Sequence, residues 1–271
     1  MPEQHHSVPS IACQISSSVE RKAVIHAALL EDILVQTIGI ESLDRHSDKL
    51  RSGSLIPVGS VEYVRAALQA AGLSEPPNMS YPVALDDFLH RRVRLGRAGE
   101  VLGTWFVKPQ QTKAFTGFVF DTMTDPEKLN PHDKEQHARF IALDARSLVW
   151  ISEPVKWLSE VRYYLDHGQV VGSARYDADG ADAAPLPDPD VVGAAVSEMT
   201  STLRPDLICA LDMGVLDSGE TALIEVNDFW AIGLYGRAMP SKVYLDMLVR
   251  RWQQICADAT PQDRLVERCS L

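Results

Sequence analysis

The apolar residues change their spacing twice along the chain. From residue 19 to 72 the spacing is mostly helical: AVIHAALLEDILVQTI, residues 23–38, predicts one helix, and VEYVRAALQAAG, residues 61–72, predicts a second that ends at Gly72. Between them SLIPVGS, residues 54–60, reads as a short strand. The Pro-, Ser- and Asn-rich stretch AGLSEPPNMSYP, residues 71–82, reads as a linker or exposed loop. DDFLHRRVRLGR, residues 86–97, predicts a helix with a basic face.

The period then shortens. TWFVKP (104–109), FTGFVF (115–120), SLVWISEPV (147–155), SEVRYYLDHG (159–168) and QVVGSARYD (169–177) are rich in β-branched and aromatic residues and separated by turn signals. His167-Gly168 predicts a hairpin. DPDVVGAAVSEMTSTL, residues 188–203, predicts a helix capped by Asp188 or Asp190. Two more strands, LICALDMGVL (207–216) and TALIEVND (221–228), flank the turn Asp217-Ser218-Gly219-Glu220. KVYLDMLVRRWQQIC, residues 242–256, predicts a closing helix. The expected organisation is a flexible leader over 1–18, a small N-terminal lobe and linker over 19–82, a main region over 83–260 and a C-terminal tail over 261–271.

Composition narrows the class. The 271 residues are 45% hydrophobic and 23% charged, as expected of a globular protein with a sizeable core. A formal charge of -11 disfavours nonspecific binding to nucleic acid or anionic membrane, because both need a cationic surface. A local basic pocket for a phosphate ligand stays open. Four scattered cysteines, with no CxxC pair, suggest neither a zinc ribbon nor a disulfide framework. With no secretory pattern and no long apolar run, the expected location is cytoplasmic. His5-His6, in a polar leader, reads as tail rather than metal site.

Three groups of residues carry candidate chemistry. Glu225 and Asn227, two apart on a strand, leave the same face, and the 217–220 turn brings Asp212 towards them. Two carboxylates and an amide oxygen form a hard-oxygen set suited to Mg²⁺. Taken alone, the same residues could cap a turn and sit at a solvated strand end. Lys108 ends a strand in FVKP and could meet phosphate as a point charge, or be an ordinary edge lysine. In SEPV, Pro154 has no N–H, which leaves the Val155 N–H and the Glu153 carbonyl to read an adenine edge, with Glu160 seven residues on as a ribose acceptor. No G-x-S-x-G or Cys-His arrangement points to covalent catalysis.

The order lysine strand, hinge glutamates, then Asp…Glu-x-Asn resembles the ATP-grasp superfamily, and the thirteen-residue spacing of Asp212 and Glu225 matches its metal-binding hairpin. The resemblance covers about residues 100–255 and is similar to a short, divergent bacterial and phage branch with FVKP, KAFTGF, SEPV, E-x-R-Y, LDMGV and EVND. It implies an α+β ATP-grasp fold, with antiparallel sheet lobes, flanking helices and a small N-terminal α/β lobe. It also implies ATP with one or two Mg²⁺, Mn²⁺ being a substitute. Lys108 would contact phosphate, as would Lys113 and Thr116 in the covering loop. Glu153, Pro154 and Val155 would frame adenine, and Glu160 would bind ribose. Asp212, Glu225 and Asn227 would hold metal.

Arg162 and Arg175, on neighbouring strands, could face one cleft, where the resemblance implies that with Lys113 they hold the γ-phosphate and acyl group, or could instead pair with nearby surface acids. The implied activity is carboxylate–amine ligation through an acylphosphate, with a small amino acid, metabolite or peptide terminus as substrate. Two departures stand out: Ala210 replaces an arginine frequent in the superfamily two residues before the metal-binding aspartate, and the loop QQTKAFTGF has a single glycine, Gly117. They keep two alternatives open, an ATP-binding regulatory module without turnover and a small-molecule kinase.

Overall fold

The computed structural model describes residues 9–16, 18–111, 114–176, 184–203 and 205–259. Its N-terminal lobe is built on β1 (Ser10–Cys13), β2 (Val35–Thr37) and β3 (Leu55–Val58), parallel and in the order β2-β1-β3. Residues 10–13 are therefore not leader but the central strand, with Ile11, Ala12 and Cys13 fully buried. Four residues behind a polar stretch are too few to show a period.

Helix α1 (Val19–Leu30) starts where the Ser18 hydroxyl accepts the Arg21 N–H at 3.2 Å. The helix expected over 23–38 stops at Leu30. The chain reverses at Asp32, whose φ of 52° lies in the left-handed region, and Val35 and Thr37 continue as β2. A short helix α2 (Ser47–Arg51) precedes β3, and α3 (Val61–Ala70) ends as expected, with Gly72 at φ 64° and the Leu73 N–H closing on the Leu68 carbonyl at 2.8 Å.

The second sheet contains β4 (Val93–Arg97), β5 (Thr104–Pro109), β6 (Phe118–Asp121) and β7 (Leu148–Ser152), antiparallel in the order β4-β7-β5-β6. The helix expected over 86–97 is not formed. Residues 83–88 make a short 3₁₀ turn, His90 takes a φ of 49°, and the chain then extends as β4 against β7. The basic residues Arg91 and Arg92 thus belong to a connection between sheets rather than to a helix face. Helix α4 (Pro131–Ile141), which the apolar pattern did not signal, covers this sheet through Phe140, packed on Phe115, Phe118 and Phe120 at ring separations of 5.7, 6.1 and 4.8 Å.

The third sheet, β8 (Trp157–Asp166), β9 (Gln169–Arg175), β10 (Ile208–Leu216) and β11 (Thr221–Asp228), is antiparallel in the order β11-β10-β8-β9. Residues 153–156 lead from β7 straight into β8 and so join the second and third sheets. Helix α5 (Pro189–Thr202), capped by Asp188, packs Val192, Ala195 and Met199 against Leu211, Met213 and Leu223 on one face of the third sheet. On the other face Tyr164, Ile208 and Ala210 share a core with the N-terminal lobe and with α6 (Ser241–Asp258). Helix α6 is locked to the N-terminal lobe by Trp252, whose indole N–H donates to the Leu50 carbonyl at 3.0 Å.

Tyr164 sits at that junction, fully buried. Its hydroxyl accepts the Tyr235 N–H and donates to the Gly233 carbonyl, each at 2.9 Å. Tyr164→Phe leaves both backbone groups unmatched, so a loss of about 1–3 kcal/mol is expected, read as a lower urea midpoint at unchanged slope.

Candidate functional site

Strand pairing brings the scattered sequence candidates together. Asp212 on β10 lies opposite Arg162 on β8 and Glu225 on β11, and Ala210 lies opposite Asn227. Residues opposite one another share a face, so Arg162, Asp212, Glu225 and Asn227 all stand on the side away from α5. The register shifts just beyond Asp212: Met213 pairs with Leu223, leaving Ile224 as an extra residue on β11. This bulge turns Leu223 into the α5 core while Glu225 keeps to the opposite face.

The bulge has its own clamp. The Arg91 guanidinium donates to the carbonyls of Leu223 at 2.7 Å and Ile224 at 3.1 Å, and also to Leu89 O and Ser152 Oγ. It lies 6.0 Å from the centre of the Tyr81 ring and 5.3 Å from that of Trp157. One side chain thus ties β11, β7 and the 83–90 connection together.

Arg162 and Asp212 form a buried, two-pronged ion pair, Nε to Oδ1 and Nη2 to Oδ2, both 2.7 Å. The Asn227 amide nitrogen lies 3.0 Å from both Asp212 Oδ2 and Glu225 Oε1. The Lys108 ammonium is in contact with the other Glu225 oxygen and donates to Ser80 Oγ at 2.9 Å. Arg162 also lies over the rings of Tyr176 and Tyr235, at 5.4 and 5.0 Å, and these two rings stack on each other. Burial, Asp212 and Glu160 hold the Tyr176 phenol well above its usual range, so it stays protonated.

Lys108, Glu160, Arg162, Glu225 and Asn227 line a cavity of about 1120 Å³ that opens between the second and third sheets and reaches the N-terminal lobe. Asp212 does not line it, standing behind Arg162. The 153–156 connection forms part of the rim. The Glu153 carboxylate is held by the Arg92 N–H at 2.8 Å and Nε at 2.7 Å, which keeps it below the usual carboxylate range. The Glu153 carbonyl, expected to be unengaged, accepts from Ser152 Oγ at 2.9 Å, while Pro154 and Val155 face the cavity.

One expectation changes. Arg175 pairs with Val161, not with Arg162, so it occupies the opposite face of β8–β9 and reaches the Ala184 carbonyl at 3.4 Å. The period of two explains this: only an even offset from the residue opposite Arg162, which is Ala174, would share its face. Tyr176, one residue on, lines the cavity in its stead. Lys113 lies outside the described residues. Ser80, Tyr81, Arg91 and Tyr176 are cavity residues that the sequence reading missed. The basic cluster at 90–94 is the one sequence signal for them, and its spacing points instead to the basic face of a helix.

The oxygen donors suit a hard divalent cation. Two carboxylate oxygens converge on the single position now held by the Asn227 nitrogen, and two cationic side chains already lie against the same carboxylates. Among the described residues, no group of three or more His, Cys, Asp and Glu side chains could hold a metal, so Asn227, water or a ligand would complete any shell here.

The model of an ATP-grasp domain family, the second family of its clade, matches residues 88–246, more than half of the chain. The chain belongs to this ATP-grasp family. Its fold is similar to that of the D-cycloserine synthetase DcsG, with a TM-score of 0.57 at 13% identity over 89% of this chain and 99% of that one. The D-alanine–D-alanine ligase of Bacillus anthracis complexed with ATP aligns over 93% of this chain and 99% of that one, at 15% identity and a TM-score of 0.46. The ATP-grasp ligase PsnB complexed with minimal precursor aligns over 90% and 99%, at 12% and 0.47. At 13% identity the likeness to DcsG establishes the fold alone. No curated protein matches the sequence.

Two measurements check the electrostatics. Burial, with Arg162 adding to it and Asp212 opposing it, pushes the Lys108 ammonium down to about 8, so it is charged below that pH and neutral above. In the spectrum of the protein with ¹³C-methylated lysines, one resonance, absent from Lys108→Arg, should titrate near that value. A midpoint at the ordinary lysine value would mean that the Glu225 contact outweighs burial. Arg162→Met strands the Asp212 charge and is expected to cost about 3–5 kcal/mol, with the double variant Arg162→Met/Asp212→Leu recovering most of it in urea titrations.

Proposed function

We propose that this protein is an ATP-dependent ligase that joins a carboxylate to an amine through an acylphosphate, releasing ADP and phosphate. The observation that carries this reading is the convergence of Lys108, Arg162, Glu225 and Asn227 on one large cavity shared with the 153–155 rim. The likeness of its fold to that of the D-cycloserine synthetase DcsG supports it.

In this reading adenine lies at the rim formed by Glu153, Pro154 and Val155, and Glu160 accepts from the ribose hydroxyls. Lys108 moves from Glu225 to the triphosphate, an exchange of one anionic partner for another. Glu225 and Asn227 would hold Mg²⁺, with Asp212 orienting the Asn227 amide from behind, and the ion would neutralise phosphate charge. A substrate carboxylate oxygen attacks the γ-phosphorus and the bond to the β-phosphate oxygen breaks, giving ADP. The amine then attacks the acyl carbon, phosphate leaves, and the nitrogen loses a proton. Arg162, lying over Tyr176 and Tyr235, is placed to hold the acyl group in one orientation. The substrates suited to this chemistry are an amino acid, a small metabolite or a peptide terminus.

One observation favours a second reading, a nucleotide-binding module without turnover: both carboxylates are already paired, Asp212 with Arg162 and Glu225 with Lys108. Calorimetry separates the two. ATP binding should need Mg²⁺ and be lost in Glu225→Gln with the fold intact. ADP release on adding carboxylate and amine pairs supports the ligase, binding without release supports the module, and Mg²⁺-independent binding unchanged by Glu225→Gln removes Glu225 from the metal site.

A further inference from the structure

The cavity has a second wall, away from Lys108, that the nucleotide reading leaves unused. It is made by the loops after β1 and β3, at the carboxyl ends of those strands. Strand β1 connects through α1 to β2 on one side, and β3 lies on the other, so the chain reverses direction across the sheet between β1 and β3. In an open parallel sheet the crevice at such a switch point is where ligands bind, because the two following loops diverge and leave a gap. Here the gap is braced by Gln14, whose side-chain carbonyl accepts the Ser60 N–H at 2.7 Å, and it faces the first turns of both α1 and α3.

Arg21 stands in that crevice. It lines the cavity, and its Nε is shut off from solvent with no acceptor among the described residues. The Cys13 thiol, a weak partner for a charge, reaches its guanidinium. The same wall carries Glu20, with one oxygen taken by the Leu234 N–H at 2.9 Å, and Glu62. A wall of mixed sign suits a ligand with both an amine and a carboxylate better than a plain anion.

We infer that the β1/β3 switch point is the substrate subsite and that Arg21 binds a carboxylate of an amino acid or peptide end, one not being activated. The inference rests on the ligase reading for its meaning. The cavity, about 1120 Å³, exceeds the ~300–1,000 Å³ usual for a single small ligand, so a nucleotide and a second molecule fit together.

The test uses the wild-type protein with Mg²⁺ and AMP-PNP, and follows phenylglyoxal modification of Arg21 by mass spectrometry, with exposed Arg237 as internal control. Glycylglycine at about 50 mM should slow Arg21 modification about threefold or more, as for a ligand with a dissociation constant of about 25 mM or lower. Glycylglycinamide, which keeps the amine and lacks the carboxylate, should not protect. Equal protection by both, or by neither, overturns the subsite. Calorimetry with AMP-PNP keeps the two readings apart: protection without nucleotide binding sinks the ATP site alone, and nucleotide binding without protection sinks the Arg21 subsite alone.

Discussion

The buried pair of Arg162 and Asp212 is the interaction that holds the rest of the site in place. Two charges removed from water must satisfy each other closely, because an unmatched carboxylate in a low-dielectric interior is very costly. The two-pronged geometry fixes the β8–β10 register at the cavity floor. From Asp212 the order passes through Asn227 to Glu225, then through Lys108 on the second sheet to Ser80 in the 71–82 segment. One chain of polar contacts therefore sets the spacing between the two sheets that border the cavity.

That chain works only because β11 carries an extra residue. Without the shift at Asp212/Met213, Leu223 and Glu225 would project from one face, and either the α5 core or the oxygen set would be lost. A bulge leaves carbonyls off the ladder, and buried carbonyls need donors. Arg91 supplies them with its fixed fork, which a lysine could not do at several acceptors at once. The aromatic rings of Tyr81 and Trp157 hold that fork in place.

Much of this was legible in the sequence. The strands from 104 to 228, the hairpins at 167–168 and 217–220, the caps at Asp188 and Gly72 and the closing helix follow from period and turn chemistry, because each is decided within a few neighbouring residues. So was the grouping of Asp212, Glu225 and Asn227, since a tight hairpin leaves few registers. The two misassigned helical stretches share one cause. DDFLHRRVRLGR and the second half of AVIHAALLEDILVQTI carry helical spacing, yet residues 93–97 and 35–37 extend because neighbouring strands offer them a ladder. The strand at 10–13 likewise exists only between two partners.

Read alone, the chain already specifies its family, the order of its motifs and the chemical types that those motifs carry. Which of those residues meet was left to the folded arrangement. Arg175 lost its place in the cavity to Tyr176 by a single step of register, and Arg91 and Ser80 reached it from segments with no motif of their own. Local patterns fix what a residue can do and which way a strand alternates. Which face looks inward, and across what gap, is set by pairing between distant segments, and that pairing leaves no mark on either segment alone.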